Sequence, residues 1–196
     1  MTPLILASSS VTRRHMLEAA GLAVQFEAPD VNEMPIKTAA RRAGLTAGEA
    51  AARLAEAKAL AVSGPDGLII GADQILECDG IWHDKPANLD AARQQLLALR
   101  GRSHRLWTAV VVARTGIAVW RHIAAAELTM RMFSDDFLDG YLSRVGTNAL
   151  SSVGAYQLEG LGIQLFEKIE GDFFTILGLP LLPLLGYLRQ SDAVAA

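Results

Sequence analysis

Six residues near the middle of the chain, Ile69-Ile70-Gly71-Ala72-Asp73-Gln74, constrain its fold most. Leu68-Ile69-Ile70 is apolar and largely β-branched, as a buried strand requires. Gly71 carries no side chain, so another element can approach the backbone there. The run then meets Asp73, a carboxylate that is costly to bury unless it is paired, metal-bound or used in chemistry. Taken alone, a strand-end aspartate that caps a neighbouring turn is the readier explanation. Strand alternation sends Asp73 and Gln74 to opposite faces. One ligand touched by both would therefore require the strand to bend or end near Gly71.

A similar tension marks the N-terminus. Leu4-Ile5-Leu6-Ala7 reads as a buried strand, Ser8-Ser9-Ser10 as a turn, and Met16, Leu17 and Ala20 as the apolar positions of a helix closed by Gly21. Free N–H groups at a helix N-terminus favour anions. Arg13 and Arg14 lie in that first turn, where cations oppose the dipole. A bound phosphate, gripped by hydroxyls, N–H groups and guanidinium, would account for them. A serine cap with two solvated arginines is the alternative.

Ala23–Glu27 alternates as a strand and leads into an irregular acidic segment, Pro29 to Pro35, in which Asp30 and Glu33 face either a metal or solvent. Thr46 and Glu49 form a capping box for an alanine-rich helix reaching about Val62. On its wheel Glu49, Arg53 and Glu56 share one side, and Lys58 falls opposite, near Leu54 and Ala61. An ammonium on that apolar face either snorkels to water or meets an anion. Pro65-Asp66-Gly67 precedes the central strand, which runs from Leu68 to Glu77.

Asp79-Gly80 signals a hairpin returning through Ile81-Trp82, and Lys85, held out of helix by Pro86, lies on the loop beyond it. A helix with Leu89, Ala92, Leu96 and Leu99 on one face follows. Trp107–Arg114 and Ile117–Ile123 flank a second hairpin turn, Thr115-Gly116. Ser134 caps a helix bearing Phe137, Leu138, Tyr141 and Leu142. Ser151 to Gly162 reads as a glycine-punctuated loop of the kind that is often functional. Ile163–Glu167 reads as a strand, and a last helix starts at Pro180. Strand–helix units mixed with hairpins imply an α/β fold with a mixed, twisted sheet and a cleft.

The bounds are compatible with that picture. A chain of 196 residues with 51% hydrophobic and 20% charged residues suits one domain, two-lobed at most. Net charge −3 offers no bulk attraction to nucleic acid or to anionic membrane. One cysteine, Cys78, excludes an intrachain disulfide and an all-cysteine metal site. There is no leader pattern and no apolar run of spanning length, so the expectation is a cytoplasmic protein. No phosphate-loop signature of glycines with Lys-Ser/Thr is present, and the four histidines lack zinc-site spacing. Ser8, Ser10, Arg13, Glu33, Lys58, Asp73, Gln74, Lys85 and Glu159 are the polar residues in unexpected places. Three cations, two hydroxyls and several carboxylates suit a polyphosphate with a divalent cation.

The stretches Leu6 to Arg14, Glu33, Lys58, Gly71-Ala72-Asp73, Lys85-Pro86, Gly101-Arg102-Ser103-His104, Gly154-Ala155-Tyr156 and Gly178-Leu179-Pro180-Leu181 together resemble the Maf family of nucleoside triphosphate pyrophosphatases. The resemblance covers nearly the whole chain, with the motifs in order. It implies a fold like that of the inosine triphosphatases: an elongated twisted mixed sheet, flanked by helices, in one domain (1–196) of two lobes around a deep central cleft. It implies cleavage between the α- and β-phosphates, releasing a nucleoside monophosphate and pyrophosphate, in the service of nucleotide house-cleaning. Asp73 would activate water, and Ser8, Ser10, Arg13, Lys58 and Lys85 would hold phosphates. Glu33 and Asp73 would bind Mg²⁺ or Mn²⁺.

Three positions, Thr12, Gln74 and Glu159, would set substrate choice. Gln74 and Glu159 are similar to the branch that prefers 7-methyl-GTP, not the one acting on dTTP and UTP. Val11, Thr12 and Asn32 depart from the family's usual Pro, Arg or Trp, and Asp. A homodimer is implied as well. A regulator of cell division that binds nucleotide without turnover, a dTTP/UTP pyrophosphatase and a phosphatase releasing orthophosphate are the competing readings.

Overall fold

In this computed structural model residues 2–63 and 67–195 are described. Pro65 and Asp66, which precede the central strand, lie outside them. In chain order the elements are β1 (Leu4–Ala7), α1 (Val11–Ala19), β2 (Val24–Glu27), α2 (Glu33–Arg42), α3 (Ala47–Ala61), β3 (Leu68–Cys78) and β4 (Ile81–His83). Then come α4 (Leu89–Leu99), β5 (Ser103–Arg114), β6 (Ile117–Met130) and α5 (Asp135–Val145), three 3₁₀ turns (Gly146–Ser151, Val153–Ala155, Leu161–Leu165), β7 (Phe166–Glu170), α6 (Phe173–Ile176) and α7 (Leu181–Gln190).

The strands form one seven-stranded sheet in the order β2-β1-β3-β5-β6-β7, with β4 paired to β3. β1 is parallel to β2 and β3, whereas β3/β4 and β6/β7 are antiparallel. This is the mixed α/β sheet the sequence implied. Both hairpin turns read from the sequence form as well. Asp79-Gly80 and Thr115-Gly116 each place two successive residues at positive φ, the geometry that matches strand twist in a two-residue loop. No helix among the described residues is long and apolar enough to cross a membrane.

The chain divides into two compact units. One comprises the chain up to Gln74, Thr108–Ala124 and the chain from Asp172. Its core packs one face of the strands, through Leu4, Leu6, Leu68, Ile70, Ala72, Val110 and Val112, against Met16, Leu17, Leu179 and Leu184. The opposite face of β3 receives α3. A Cβ on Gly71 would collide with the Ala55 carbonyl oxygen and come within 2.7 Å of the Ala59 nitrogen. The glycine is therefore what lets the helix lie on the strand. α3 itself starts from the expected capping box, in which the Thr46 N–H donates to Glu49 Oε2 at 2.8 Å and the Glu49 N–H returns to Thr46 Oγ1 at 3.3 Å.

The second unit comprises Ile75–Trp107 and Ala125–Gly171. Its interior holds a buried aromatic group. His104 Nε2 and the Tyr156 hydroxyl lie 2.8 Å apart, Tyr156 meets the Phe166 ring edge-on at 4.8 Å, and the Tyr141 hydroxyl donates to the Ala155 carbonyl at 3.1 Å.

Three local readings change. The acidic segment before Pro35 does not stay irregular: Glu33 begins α2, capped by Asn32, whose side chain accepts the Met34 N–H at 3.3 Å. Pro35 is the third helical residue, where no intrahelical N–H partner is lost, so it does not break the helix. The 151–162 loop is wound into 3₁₀ turns by its own short-range bonds, Gly160 N–H to the Gln157 carbonyl and Ile163 N–H to the Gly160 carbonyl. The strand read at Ile163 consequently starts at Phe166. Finally, β3 runs unbroken through Gly71, paired to β1 along Leu68–Gly71 and to β4 along Leu76–Cys78. The predicted bend is absent, and Asp73 and Gln74 serve opposite faces of the strand.

Two outcomes test this packing. Gly71→Ala is expected to destabilise the fold by about 3 kcal/mol, because the new methyl meets helix backbone that cannot rotate away; an unchanged urea midpoint would contradict the tight approach of α3. Burial, with a lesser push from His83, pulls the His104 pKa from 6.5 to about 4. The unfolded chain binds a proton near 6.5 and the folded one only near 4, so unfolding free energy should fall as pH drops through that window. His104→Gln should remove this slope, as read by urea titrations across the window.

Candidate active site

The turn after β1 is built by its serines. Ser8 Oγ accepts the Ser10 N–H at 3.1 Å, and Ser10, the cap of α1, accepts the Arg13 N–H at 3.3 Å. Arg13 does not follow the helix outward. Its Nε donates to the Gly178 carbonyl at 2.7 Å, and its Nη1 donates to the Ala72 carbonyl at 2.9 Å and reaches Ser8 Oγ at 3.4 Å. Burial lowers the Arg13 pKa, while the charges of Asp73 and Glu33 raise it. An arginine starting from 12.5 stays charged, so the site keeps a fixed guanidinium. Arg14, by contrast, pairs with Glu18 at 2.9 Å on the surface and lies over the Phe26 ring.

Lys58 meets anions and does not snorkel. Its Nζ bonds Asp73 Oδ1 and lies 2.8 Å from Glu33 Oε1, while Lys37 holds Glu33 Oε2 at 3.2 Å. The Lys58 and Asp73 side chains are only 12% and 8% exposed. Burial would raise the Glu33 pKa, but the bonds and charges of Lys58 and Lys37 outweigh it and hold the carboxyl below its usual value. Gly71 makes this contact possible. Gly71 and Asp73 share a strand face, and the close seat of α3 on Gly71 brings Lys58, next to Ala59, onto Asp73.

Gln74 turns the other way. Its amide nitrogen donates to Thr108 Oγ1 at 2.8 Å, to the Thr175 carbonyl at 3.0 Å and to the Ile176 carbonyl at 3.1 Å. Thr12 lies half-buried in the first turn of α1. Lys85 and Glu159 belong to the second unit, Lys85 on the exposed loop after β4 and Glu159 exposed between two 3₁₀ turns. Within the first unit, then, Ser8, Ser10, Arg13, Glu33, Lys58 and Asp73 converge. They are linked through the Ala72 carbonyl and through the field that Asp73 and Glu33 exert on Arg13.

The two carboxylates around one ammonium suit a hard divalent cation in one specific way. Mg²⁺ uses one or two carboxylates and completes its shell with water and substrate phosphates. Among the described residues no group of three or more His, Cys, Asp and Glu is assembled, so Glu33 and Asp73 could hold such a cation only in this shared mode, with the rest of its shell supplied from outside the protein. Sequence reasoning missed Lys37, Thr108 and Thr175. Lys37 had a readable signal, the four-residue spacing from Glu33 along a helix, hidden while α2 went unrecognised.

Lys58→Met tests the cluster. It leaves Asp73 buried without its cation, which should cost about 3 kcal/mol at neutral pH. Glu33 titrates below 4.5 when folded, so its stabilising share is full above 4.5 and is lost as pH falls through the lower folded pKa. The stability gap between wild type and variant should therefore narrow below pH 4.5; a pH-independent gap would show that the charges are not what Lys58 holds.

Known proteins resemble this chain over most of its length. A family model described as Maf-like protein matches residues 3–191. A protein of Paramagnetospirillum magneticum named nucleoside triphosphate pyrophosphatase is 53% identical over 189 residues, covering 95% of this chain and 97% of that one. A Rhodospirillum rubrum protein of the same name is 52% identical over 189 residues, covering 95% and 94%. A Rhizobium etli protein named 7-methyl-GTP pyrophosphatase is 52% identical over 198 residues, covering 99% of each chain. With residues 3–191 matched by the family model and about half its residues shared with such relatives, the chain belongs to the Maf-like protein family.

Proposed function

We propose that this chain hydrolyses nucleoside triphosphates between the α- and β-phosphates, with 7-methyl-GTP as candidate substrate. The supporting observation is Asp73 itself. It is a nearly buried carboxylate held by Lys58, beside a fixed guanidinium and the serine-lined N-terminus of α1. The names of relatives about half identical to it, nucleoside triphosphate pyrophosphatase and 7-methyl-GTP pyrophosphatase, point the same way.

In this reading Arg13, the Ser8 and Ser10 hydroxyls and the free N–H groups of α1 bind the phosphate oxygens, and Lys58 and Lys85 add charge. Asp73 Oδ takes the proton of the attacking water, the α-phosphorus–oxygen bond to the β-phosphate breaks, and pyrophosphate leaves. A divalent cation, Mg²⁺ or Mn²⁺, held by Glu33 and Asp73 with the substrate's own phosphates, would neutralise charge and polarise water. Thr12, Gln74 and Glu159 take part in base choice. A 7-methylated guanine carries positive charge on its ring, and the exposed Glu159 carboxylate complements it as well as accepting its N–H groups. Cytoplasmic location and a homodimer complete the proposal; size-exclusion chromatography reads the latter.

The test is incubation with 7-methyl-GTP, GTP, dTTP and UTP in Mg²⁺ or Mn²⁺, with product analysis. Monophosphate and pyrophosphate from 7-methyl-GTP are expected. Orthophosphate alone would make it a phosphatase, no product a binding protein, and a preference for dTTP and UTP would reassign Glu159. Asp73→Asn should lower kcat by roughly a hundredfold to ten-thousandfold with nucleotide affinity largely kept; a normal kcat would remove Asp73 as the base.

A further inference from the structure

Glu159, the exposed carboxylate set against the nucleobase above, follows a strained stretch of backbone. Gly154 lies at φ +83° and Ala155 at φ +59°, both in the left-handed region. Glycine adopts that region freely, and a Cβ at 154 would also strike the Tyr156 ring and Leu76. Alanine does not. Its Cβ makes the conformation costly, so it persists only where the surroundings over-determine it.

Hydrogen bonds from several directions hold it. The Tyr141 hydroxyl, on α5, donates to the Ala155 carbonyl at 3.1 Å. The Ala155 N–H reaches the Ser152 carbonyl at 3.4 Å, and the Ser152 hydroxyl donates to the Tyr156 carbonyl at 2.5 Å. Tyr156 is itself fixed by His104, whose Nε2 lies 2.8 Å from its hydroxyl, and by the edge-on Phe166 ring. Of the bonds to Ala155, that of Tyr141 comes from a separate helix, and the other is local and long. Tyr141 and Ala155 are both buried, so no water competes for the bond.

The chain beyond Ala155 carries that position forward. Gly160 N–H returns to the Gln157 carbonyl at 3.2 Å. A Cβ on Gly162 would collide with that carbonyl oxygen and come within 2.9 Å of the Gln157 nitrogen. The Gln157 amide nitrogen also bonds Ser151 Oγ at 3.3 Å. The stretch 157–162 is thus folded back on Gln157, with Leu158 buried and Glu159 and Gly160 exposed at its tip. Burial pushes the Tyr141 pKa up to about 12; the Gln157 backbone opposes this and the Glu159 charge adds to it. At neutral pH the hydroxyl therefore keeps its proton for Ala155, and Glu159 stands near enough for its charge to act there.

We infer that Tyr141 is a positioning residue for base choice: by holding the Ala155 carbonyl, its hydroxyl fixes the turn from Gln157 to Gly162 and so sets where the Glu159 carboxylate stands. The inference rests on the pyrophosphatase reading above and extends it to α5, a helix from which no candidate site residue comes.

The test measures kcat and KM for 7-methyl-GTP, GTP and UTP on full-length wild type, Tyr141→Phe, Glu159→Gln and the double variant, with inorganic pyrophosphate binding followed by calorimetry. Tyr141→Phe removes one oxygen and keeps the ring. It should lower the preference for 7-methyl-GTP over UTP, as a ratio of kcat/KM, by roughly three- to tenfold, through KM and with pyrophosphate affinity unchanged. In the Glu159→Gln background the same change should leave the ratio where Glu159→Gln alone puts it, since Tyr141 acts through that carboxylate. The Gly160 N–H should exchange with water faster in Tyr141→Phe than in wild type. Ser152→Ala, which loosens the same turn from its other end, should lower the ratio as well, and decides the matter if Tyr141→Phe fails to fold.

An unchanged ratio would overturn the inference, as would a loss shared equally by every triphosphate and by pyrophosphate, which marks a general structural role. Additive effects of Tyr141→Phe and Glu159→Gln would overturn it too. A ratio that survives Glu159→Gln would remove Glu159 from base choice, and the inference with it. A wild type that turns over no triphosphate would instead sink the pyrophosphatase reading.

Discussion

The ion cluster of Lys58 with Asp73 and Glu33 is the interaction on which the rest of the site depends. A buried carboxylate on a central strand is tolerable only with a cation in contact, and desolvation makes any misplacement expensive. The cation comes from a helix, so the helix must lie closer to the strand than side chains normally allow. Gly71 makes that approach possible, and the Thr46–Glu49 capping box fixes where the helix begins. An alanine-rich helix on a glycine in a strand is thus part of the same design as the carboxylate two residues later.

The other half of the site is held by carbonyls. Arg13 is oriented by the Gly178 and Ala72 main-chain oxygens, which are neutral and short-range acceptors, so its charge is steered without being cancelled. That leaves its positive field to act on Asp73, Glu33 and an incoming anion. The segment carrying Gly178 is in turn secured by Gln74 and Thr108. Strand β3 therefore acts on both sides: one face carries the carboxylate and receives α3, and the other holds α6.

Much of this was legible in the chain. Asp79-Gly80 and Thr115-Gly116 specify hairpins because few residue pairs accept two positive φ values in succession. Thr46 and Glu49 specify a helix start through reciprocal bonds three residues apart. The unexpected polar residues Ser8, Arg13, Glu33, Lys58 and Asp73 do converge. Less legible was α2, because a proline reads as a breaker unless its position within the first turn is known. Unreadable was the direction of Gln74. Alternation put it opposite Asp73, but only the partner elements could say whether the strand would yield or the side chain would stay turned away.

The sequence by itself determined most of the elements, several of their caps and turns, and the demand that Asp73 find a cation. These follow from interactions among residues a few positions apart, and from the cost of burying charge. Tertiary structure alone decided which cation answers Asp73, where Arg13 is anchored and which acceptors Gln74 meets. Those contacts join residues 15, 165 and 101 positions apart, and they form only after apolar packing has set helices on the sheet. Burial of surface has no direction, so a one-dimensional pattern states that a face will be covered and leaves open what covers it.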